Sequence, residues 1–190
     1  MRSLIIGAAG FVGPYLASAV KTELGSDVVA TKLEREQLEL PDAQIRDLNI
    51  MDEEQIFELL DEVRPEYIFH LAAQSYPQTS FTAPIDTLNT NILGTCRLLE
   101  SVRLEMEKDR GYKPVIHVCA SSEVFGKIPP EKKPETGIHE ECPFHPASPY
   151  AISKVGTDLL GRYYAEAYGM TVMTTRMFTH TGPRRGDVFH

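Results

Sequence analysis

Cysteine is scarce: Cys96, Cys119 and Cys142 are the only three in 190 residues. An odd, widely spaced set gives no disulfide framework, and none of the spacings suits a metal. Free thiols in a reducing cytoplasm are the expected state. His70, His117, His139, His145 and His180 also lack metal-like spacing, so no metal site is expected. No apolar run approaches the roughly 20 residues that cross a bilayer. The N-terminus carries one basic residue but no long apolar region or small-residue cleavage site, so it reads as a buried strand and not a secretion signal. A broad basic surface is missing too. The net charge is −8, which argues against nucleic acid as a partner and leaves room for a local anion site. There is no internal repeat and no low-complexity tract.

What is present is a globular balance, with 42% hydrophobic and 24% charged residues, in a length that holds one well-packed domain. Short apolar runs at residues 4–6, 28–30, 67–71, 115–119 and 171–174 are too short for helices and rich in β-branched side chains. A further short strand is expected around residues 44–48. Helical patterns lie between them, at 12–22, 52–62, 86–107 and 149–168, the last stopped by Gly169. This alternation predicts an α/β fold: a doubly wound parallel sheet with helices on both faces, joined by right-handed crossovers. From Lys127 to Ser148 the rhythm breaks into a proline-rich loop at the end of a strand, where open α/β sheets bind ligands.

Gly7-Ala8-Ala9-Gly10-Phe11-Val12-Gly13 joins the first strand to the first helix. A phosphate needs close approach to outward-pointing N–H groups, which side chains at these glycines would block. Placed between a strand and a helix, the turn predicts dinucleotide binding, with Gly7, Gly10, Phe11, Val12 and Gly13 at the cofactor. Pro14 suits an early helical position, where no N–H partner is lost. At the end of the second strand, a basic residue favours the 2′-phosphate of NADP and an acidic one the ribose of NAD. Lys32 and Arg35 favour NADP, with Glu34 as the competing residue.

Tyr150 and Lys154 stand four apart and share one helix face. A phenol titrates near about 10, and a neighbouring ammonium stabilises its anion, making it a base near neutrality. Ser121-Ser122-Glu123 follows the strand at 115–119. There a serine can hold a reacting hydroxyl and a carboxylate can move a proton, although Ser and Glu also cap turns.

The glycine turn, His70-Leu71-Ala72-Ala73, Asn91, Ser121 and the Tyr150/Lys154 pair together resemble the extended short-chain dehydrogenase/reductases, the epimerase/dehydratase family with a Rossmann domain. The resemblance covers essentially the whole chain. Within that family, Ala120 to Gly126 resembles the segment that holds Ser or Thr and the catalytic Glu in nucleotide-sugar 4,6-dehydratases. Phe178 to Gly186 looks most like the GDP-mannose 4,6-dehydratases, and Ser148 to Lys154 is also similar to the GDP-4-keto-6-deoxymannose reductases. The likeness implies Ser121, Glu123, Tyr150 and Lys154 as catalytic residues, with Lys154 lowering the Tyr150 pKa. It implies cofactor contacts from Asn49, Ile50, Leu71, Ala72 and Ala73, with Tyr150 and Lys154 reaching the nicotinamide side. Ser80, Ser122, Thr179, Arg184 and Arg185 would face a nucleotide-sugar substrate, and a homodimer would form through the middle and last long helices.

Glucose-nucleotide dehydratases carry Asp where Ser122 stands, so Glu123 would act twice. A reductase, a decarboxylase and a non-catalytic cofactor-binding fragment are the competing readings. Family members continue well past this length. Residues 1–177 are therefore expected to form the dinucleotide-binding domain and 178–190 the start of a truncated substrate-binding region.

Overall fold

In the computed structural model, residues 1–132, 134, 135, 137–183 and 185 are described. Six strands, β1 (Arg2–Ile6), β2 (Asp27–Lys32), β3 (Ala43–Asp47), β4 (Tyr67–His70), β5 (Val115–Cys119) and β6 (Thr171–Thr175), form one sheet in the order β3-β2-β1-β4-β5-β6. Every pairing is parallel. The doubly wound sheet expected from the sequence is thus present. The order reverses between β1 and β4, and ligands of such sheets bind above that crevice at the carboxyl ends of the strands.

Helices α1 (Gly13–Leu24), α2 (Glu53–Val63), α3 (Pro77–Thr82), α4 (Pro84–Leu88), α5 (Gly94–Lys108) and α6 (Pro149–Tyr168) complete the chain. α2 shows why these segments are helical. Asp52 caps it by accepting from the Gln55 N–H, and Ile56, Leu59, Leu60 and Val63 recur at helical spacing on the buried face. On one side of the sheet, α2, α5 and α6 bury Leu4, Ile68, Ile116 and Val118 completely. On the other, α1 packs over Ile5, Val28 and Ala30. Beyond the reach of α1, the same side of β5 and β6 stays half open, and Met173 is exposed.

Two expectations change. The single helix at 86–107 is in fact α4 and α5 joined by one π-helical turn, Asn89–Leu93, closed by Gly94 N–H donating to the Asn89 carbonyl. The short α3 fell in a stretch with no expected element. The proline-rich loop contains a 3-10 turn, Pro130–Lys132, and is docked on the domain. His145 N–H donates to the Val124 carbonyl at 2.9 Å. Val124, Phe125 and Cys142 make a small separate core with Ile128, Phe144 and Val155. Gly126 permits this return: its φ is +56°, and a Cβ there would lie 1.8 Å from the His145 carbonyl oxygen.

The loop delivers Ser148, whose hydroxyl accepts from the Ala151 N–H at 3.0 Å and starts α6. Ser148→Ala is expected to cost about 1 kcal/mol of stability, measured by urea unfolding, because one helix N–H loses its partner.

Candidate active site

Five segments meet at the carboxyl edge of the sheet. β1 ends in the glycine turn, β4 in His70 to Ala73, and β5 in Ser121 to Glu123. The first turns of α6 bring Tyr150 and Lys154, and the chain beyond β6 returns across the top.

The three glycines of the turn have different causes. Gly7 has φ +82°, and a Cβ there would lie 2.6 Å from the Ala72 Cα. A Cβ on Gly13 would lie 2.0 Å from the Ala8 carbonyl oxygen. Both positions are dictated by the fold. Gly10 is exposed, has no positive φ, and its added Cβ would meet only the Gly7 oxygen at 3.5 Å, an ordinary contact. Nothing among the described residues requires glycine there; an external group approaching the backbone would. The amide N–H groups of Phe11 and Val12 also find no acceptor among the described residues. They sit at the start of α1, where a helix attracts anions. The residues present therefore fit a phosphate-bearing cofactor. Thr31 supports the turn, its hydroxyl accepting from the Gly7 N–H at 3.1 Å and its carbonyl from Ala8 N–H at 2.7 Å.

At the end of β2, Lys32 forms an ion pair with Asp47 on β3 and also donates to the Leu33 carbonyl. Its charge is partly satisfied inside the protein. Arg35 is exposed and makes no ion pair among the described residues. Asn49 is exposed, with its side-chain oxygen accepting from Met51 N–H at 3.0 Å. Ile50 is a core side chain packed on Gly94. Leu71, Ala72 and Ala73 are half-buried, with Ala72 against Gly7.

Ser121 performs the capping role its sequence context suggests. Its oxygen accepts from Glu123 N–H at 3.2 Å and opens the 3-10 turn Ser122–Phe125. The hydroxyl proton stays free to be donated. Glu123 is exposed at the mouth of the site, and Ser122 is tied by its N–H to the Met177 carbonyl at 2.9 Å.

Tyr150 is buried. Burial raises its phenol above the ordinary range; the Ser121 hydroxyl acts to lower it, while Cys119 and Glu123 push it further up. Lys154 was expected to lower this pKa and does not. Its ammonium lies 5.9 Å from the Tyr150 ring and donates instead to the Cys119 carbonyl at 2.8 Å. Burial also lowers the proton affinity of Lys154 itself. Desolvation is the largest influence on each group, because burial penalises the charged form of both.

Of the expected substrate contacts, Ser80 is corrected. It is fully buried in α3 and its hydroxyl donates to the Pro77 carbonyl at 2.6 Å. Thr179 is exposed. Arg185 is half-buried and bonded through its N–H to Gly182. Arg184 lies outside the described residues. The returning segment crosses the glycine turn: Gly182 packs near the Phe11 ring, and Tyr15 donates to the Pro183 carbonyl at 2.8 Å.

Sequence reasoning missed Arg176. It forms a two-pronged pair with the buried Asp158 of α6, at 2.7 and 3.1 Å, and donates to the Glu140 carbonyl at 2.6 Å. It also lies over Phe125 and Phe144. Neither residue carries a motif that would have flagged it.

His70 closes the floor of the site. Burial drives its pKa down from 6.5 to about 3, with Lys154 and His117 acting in the same direction. The folded state then stays neutral where the unfolded chain takes up a proton, so stability is full above about pH 6.5. It should fall by up to about 1.4 kcal/mol per pH unit between there and pH 3. His117 is lowered by burial too. His70→Gln is expected to flatten the acid limb of stability against pH, measured by urea midpoints; an unchanged limb would remove His70 as its source.

A family model described as GDP-mannose 4,6 dehydratase matches residues 4–190. The chain belongs to that family. GDP-mannose 4,6 dehydratase 1 of Arabidopsis thaliana is 39% identical over 130 residues, which cover 68% of this chain and 34% of that protein. Among solved structures, DesIV, a dTDP-glucose 4,6-dehydratase from Streptomyces venezuelae with NAD and TYD bound, has a TM-score of 0.82 at 27% identity. It is covered to 58% by 98% of this chain. RMD from Pseudomonas aeruginosa, complexed with NADPH, has a TM-score of 0.74 at 29% identity, with all of this chain covering 58% of it. This chain thus spans about a third of the Arabidopsis relative and just over half of each solved chain. The resemblance to the extended epimerases and dehydratases drawn from the motifs holds. Among the described residues, no helix is long and apolar enough to cross a membrane.

Proposed function

We propose that this chain forms the cofactor-binding and catalytic part of a nucleotide-sugar 4,6-dehydratase that acts on GDP-mannose with NADP. The observation that carries this reading is the convergence of an anion-ready glycine turn with Ser121, Glu123, Tyr150 and Lys154 at one sheet edge. Gly10 and the amides of Phe11 and Val12 hold the cofactor diphosphate, and Arg35, with Lys32 beside it, takes the 2′-phosphate. The nicotinamide supplies a hydride acceptor and donor. Tyr150 takes the proton of the sugar 4-hydroxyl, which Ser121 orients with its free O–H. Glu123, open at the mouth of the site, removes the proton that the resulting ketone acidifies on carbon 5 and assists departure of the carbon-6 hydroxyl. Lys154 holds the ribose with donors its bond to Cys119 leaves unused. Thr179 and Arg185, on the returning segment, contact the substrate diphosphate, and the resemblance assigns Arg184 the same role.

The division at residue 177 follows: β6 ends the nucleotide-binding layer, and the returning segment begins the substrate side. A homodimer forms through α5 and α6, with Ile152, Leu159 and Tyr163 exposed on α6 and Leu93 exposed in the turn that leads into α5.

Calorimetric titration with NADPH and NADH tests the first step, with NADPH binding more tightly. Gly10→Ala is expected to weaken that binding by at least about tenfold while leaving the melting temperature in place, since the new Cβ meets only solvent-side space. Equal affinity in the variant would sink the diphosphate assignment. Product mass then identifies the chemistry: loss of water supports dehydration, whereas gain of two hydrogens or loss of carbon dioxide would mean a reductase or a decarboxylase.

A further inference from the structure

Behind Tyr150 and Lys154 lies a chain of buried polar side chains that the reaction as written does not use. Asn91, in the π-helical turn, donates to the Ser153 hydroxyl at 2.8 Å and to the Gln74 carbonyl at 3.0 Å, and accepts from Gln74 N–H at 2.8 Å. Ser153 donates in turn to the Tyr150 carbonyl at 2.7 Å. The Asn91 carbonyl accepts from Thr95 at 2.6 Å and from Thr157 at 3.1 Å. Thr95 also meets His70 Nε2 at 3.0 Å.

These contacts fix a tautomer. A carbonyl only accepts, so the single hydroxyl proton of Thr95 is committed to Asn91. Toward His70 the Thr95 oxygen can therefore only accept, and Nε2 must carry the imidazole proton. The neutral ring is left with a bare Nδ1. That nitrogen is fully buried with no partner among the described residues, a condition that native interiors relieve with an ordered water or a ligand.

The complementary donor is close. His70 is in register with Val118 on β5, and the next residue, Cys119, gives its carbonyl to the Lys154 ammonium. An ammonium has three protons, and this one, also buried, has one acceptor among the described residues. An orphan acceptor and a donor with protons to spare thus lie at the same end of β4 and β5, near enough for the Lys154 charge to act on His70.

We propose that His70 is a positioning residue, held as its Nε2–H tautomer by Thr95 and offering its Nδ1 lone pair to Lys154 through one buried water. The water accepts from Lys154 and donates to Nδ1. It holds the ammonium at the floor of the site with one proton to the Cys119 carbonyl, one to the water and one toward the cofactor ribose. This role rests on the reading of Lys154 under the proposed function, but the nitrogen chemistry can be read without turnover.

In the 15N spectrum of the histidine-labelled chain, His70 should show a protonated Nε2 and a bare Nδ1 displaced from the position of an unbonded ring nitrogen. Lys154→Met should return Nδ1 to the unbonded position and leave Nε2 in place. If that variant does not fold, Lys154→Gln, which keeps a donor for the Cys119 carbonyl, is read the same way. A proton on Nδ1 in the native chain, or an Nδ1 signal indifferent to both variants, overturns the proposal. With an active form of the enzyme, His70→Asn keeps an acceptor at the δ position and should retain more kcat than His70→Gln, which keeps only the group facing Thr95. Equal losses would reduce His70 to a purely structural role. Absence of cofactor binding with the expected nitrogen pattern would count against the proposed function and leave the water bridge standing.

Discussion

Tyr150→Phe is expected to lower kcat by about 10³-fold, the scale of losing a positioned acid–base group, while NADPH affinity stays near the native value. The phenol is buried beside Ser121, so removing its oxygen takes away the acceptor for the sugar proton. The ring, and the packing it provides, remains. Because burial raises the Tyr150 pKa and Lys154 does not offset it in this arrangement, a phenolate needs help from charge brought by the bound cofactor. The kcat profile should therefore show its Tyr150 limb at lower pH in the ternary complex than the free protein's phenol titration. Unchanged turnover in the variant would remove Tyr150 from the chemistry. A parallel loss of cofactor binding would instead mean that the site had collapsed.

The largest effect on stability is expected from Arg176→Met, at about 3–5 kcal/mol, because it strands a buried carboxylate. Asp158 is 1% exposed, and Arg176 grips it with two hydrogen bonds. Arg162 also reaches Asp158, at 3.1 Å, but from a half-exposed position where water competes for its charge. The Arg176 guanidinium also holds the Glu140 carbonyl and lies 4.8 Å from the centre of the Phe144 ring, so the proline-rich loop should loosen as well. Urea unfolding measures the loss, and faster proteolysis within the loop reports its release. The double variant Asp158→Leu with Arg176→Met should recover most of the stability, since no charge is then left buried alone. Failure to recover would show that the loop contacts, and not the ion pair, carry the energy.

The contrast between these two residues explains what was legible in the sequence. Tyr150 and Lys154 sit in local spacings on one helix, and the glycine turn sits between a strand and a helix, so short-range pattern was enough. Five of the six strands were found for the same reason, their apolar runs being short and nearly continuous; β3, Ala43-Gln44-Ile45-Arg46-Asp47, carries no such run and was expected only as a further short strand. Arg176 and Asp158 are 18 residues apart on different elements, and only the packed fold shows that they meet. Ser80 was placed by resemblance alone, whereas its burial depends on how α3 docks. The burial of Tyr150 and Lys154 was not legible, because spacing reports which groups share a face and says nothing of how deeply water is excluded from them. The proline-rich loop looked irregular and is, yet its few apolar side chains close a core of their own.

The π-helical turn between α4 and α5 contains one residue more than an α-helix would use to make the same bond. Each residue advances a helix by about 100°. α4 and α5 are therefore out of phase by roughly that angle, and the phase slip is what turns Asn91 inward against Ser153. Deleting Asn89 or Thr90 would restore a regular helix and swing the face of α4 around its axis. Asn91 would then lose its line to α6 although no contact residue had been changed. Along this turn the exposed Leu93 should tolerate exchange of its side chain, whereas the buried Asn91 and the length of the turn should not.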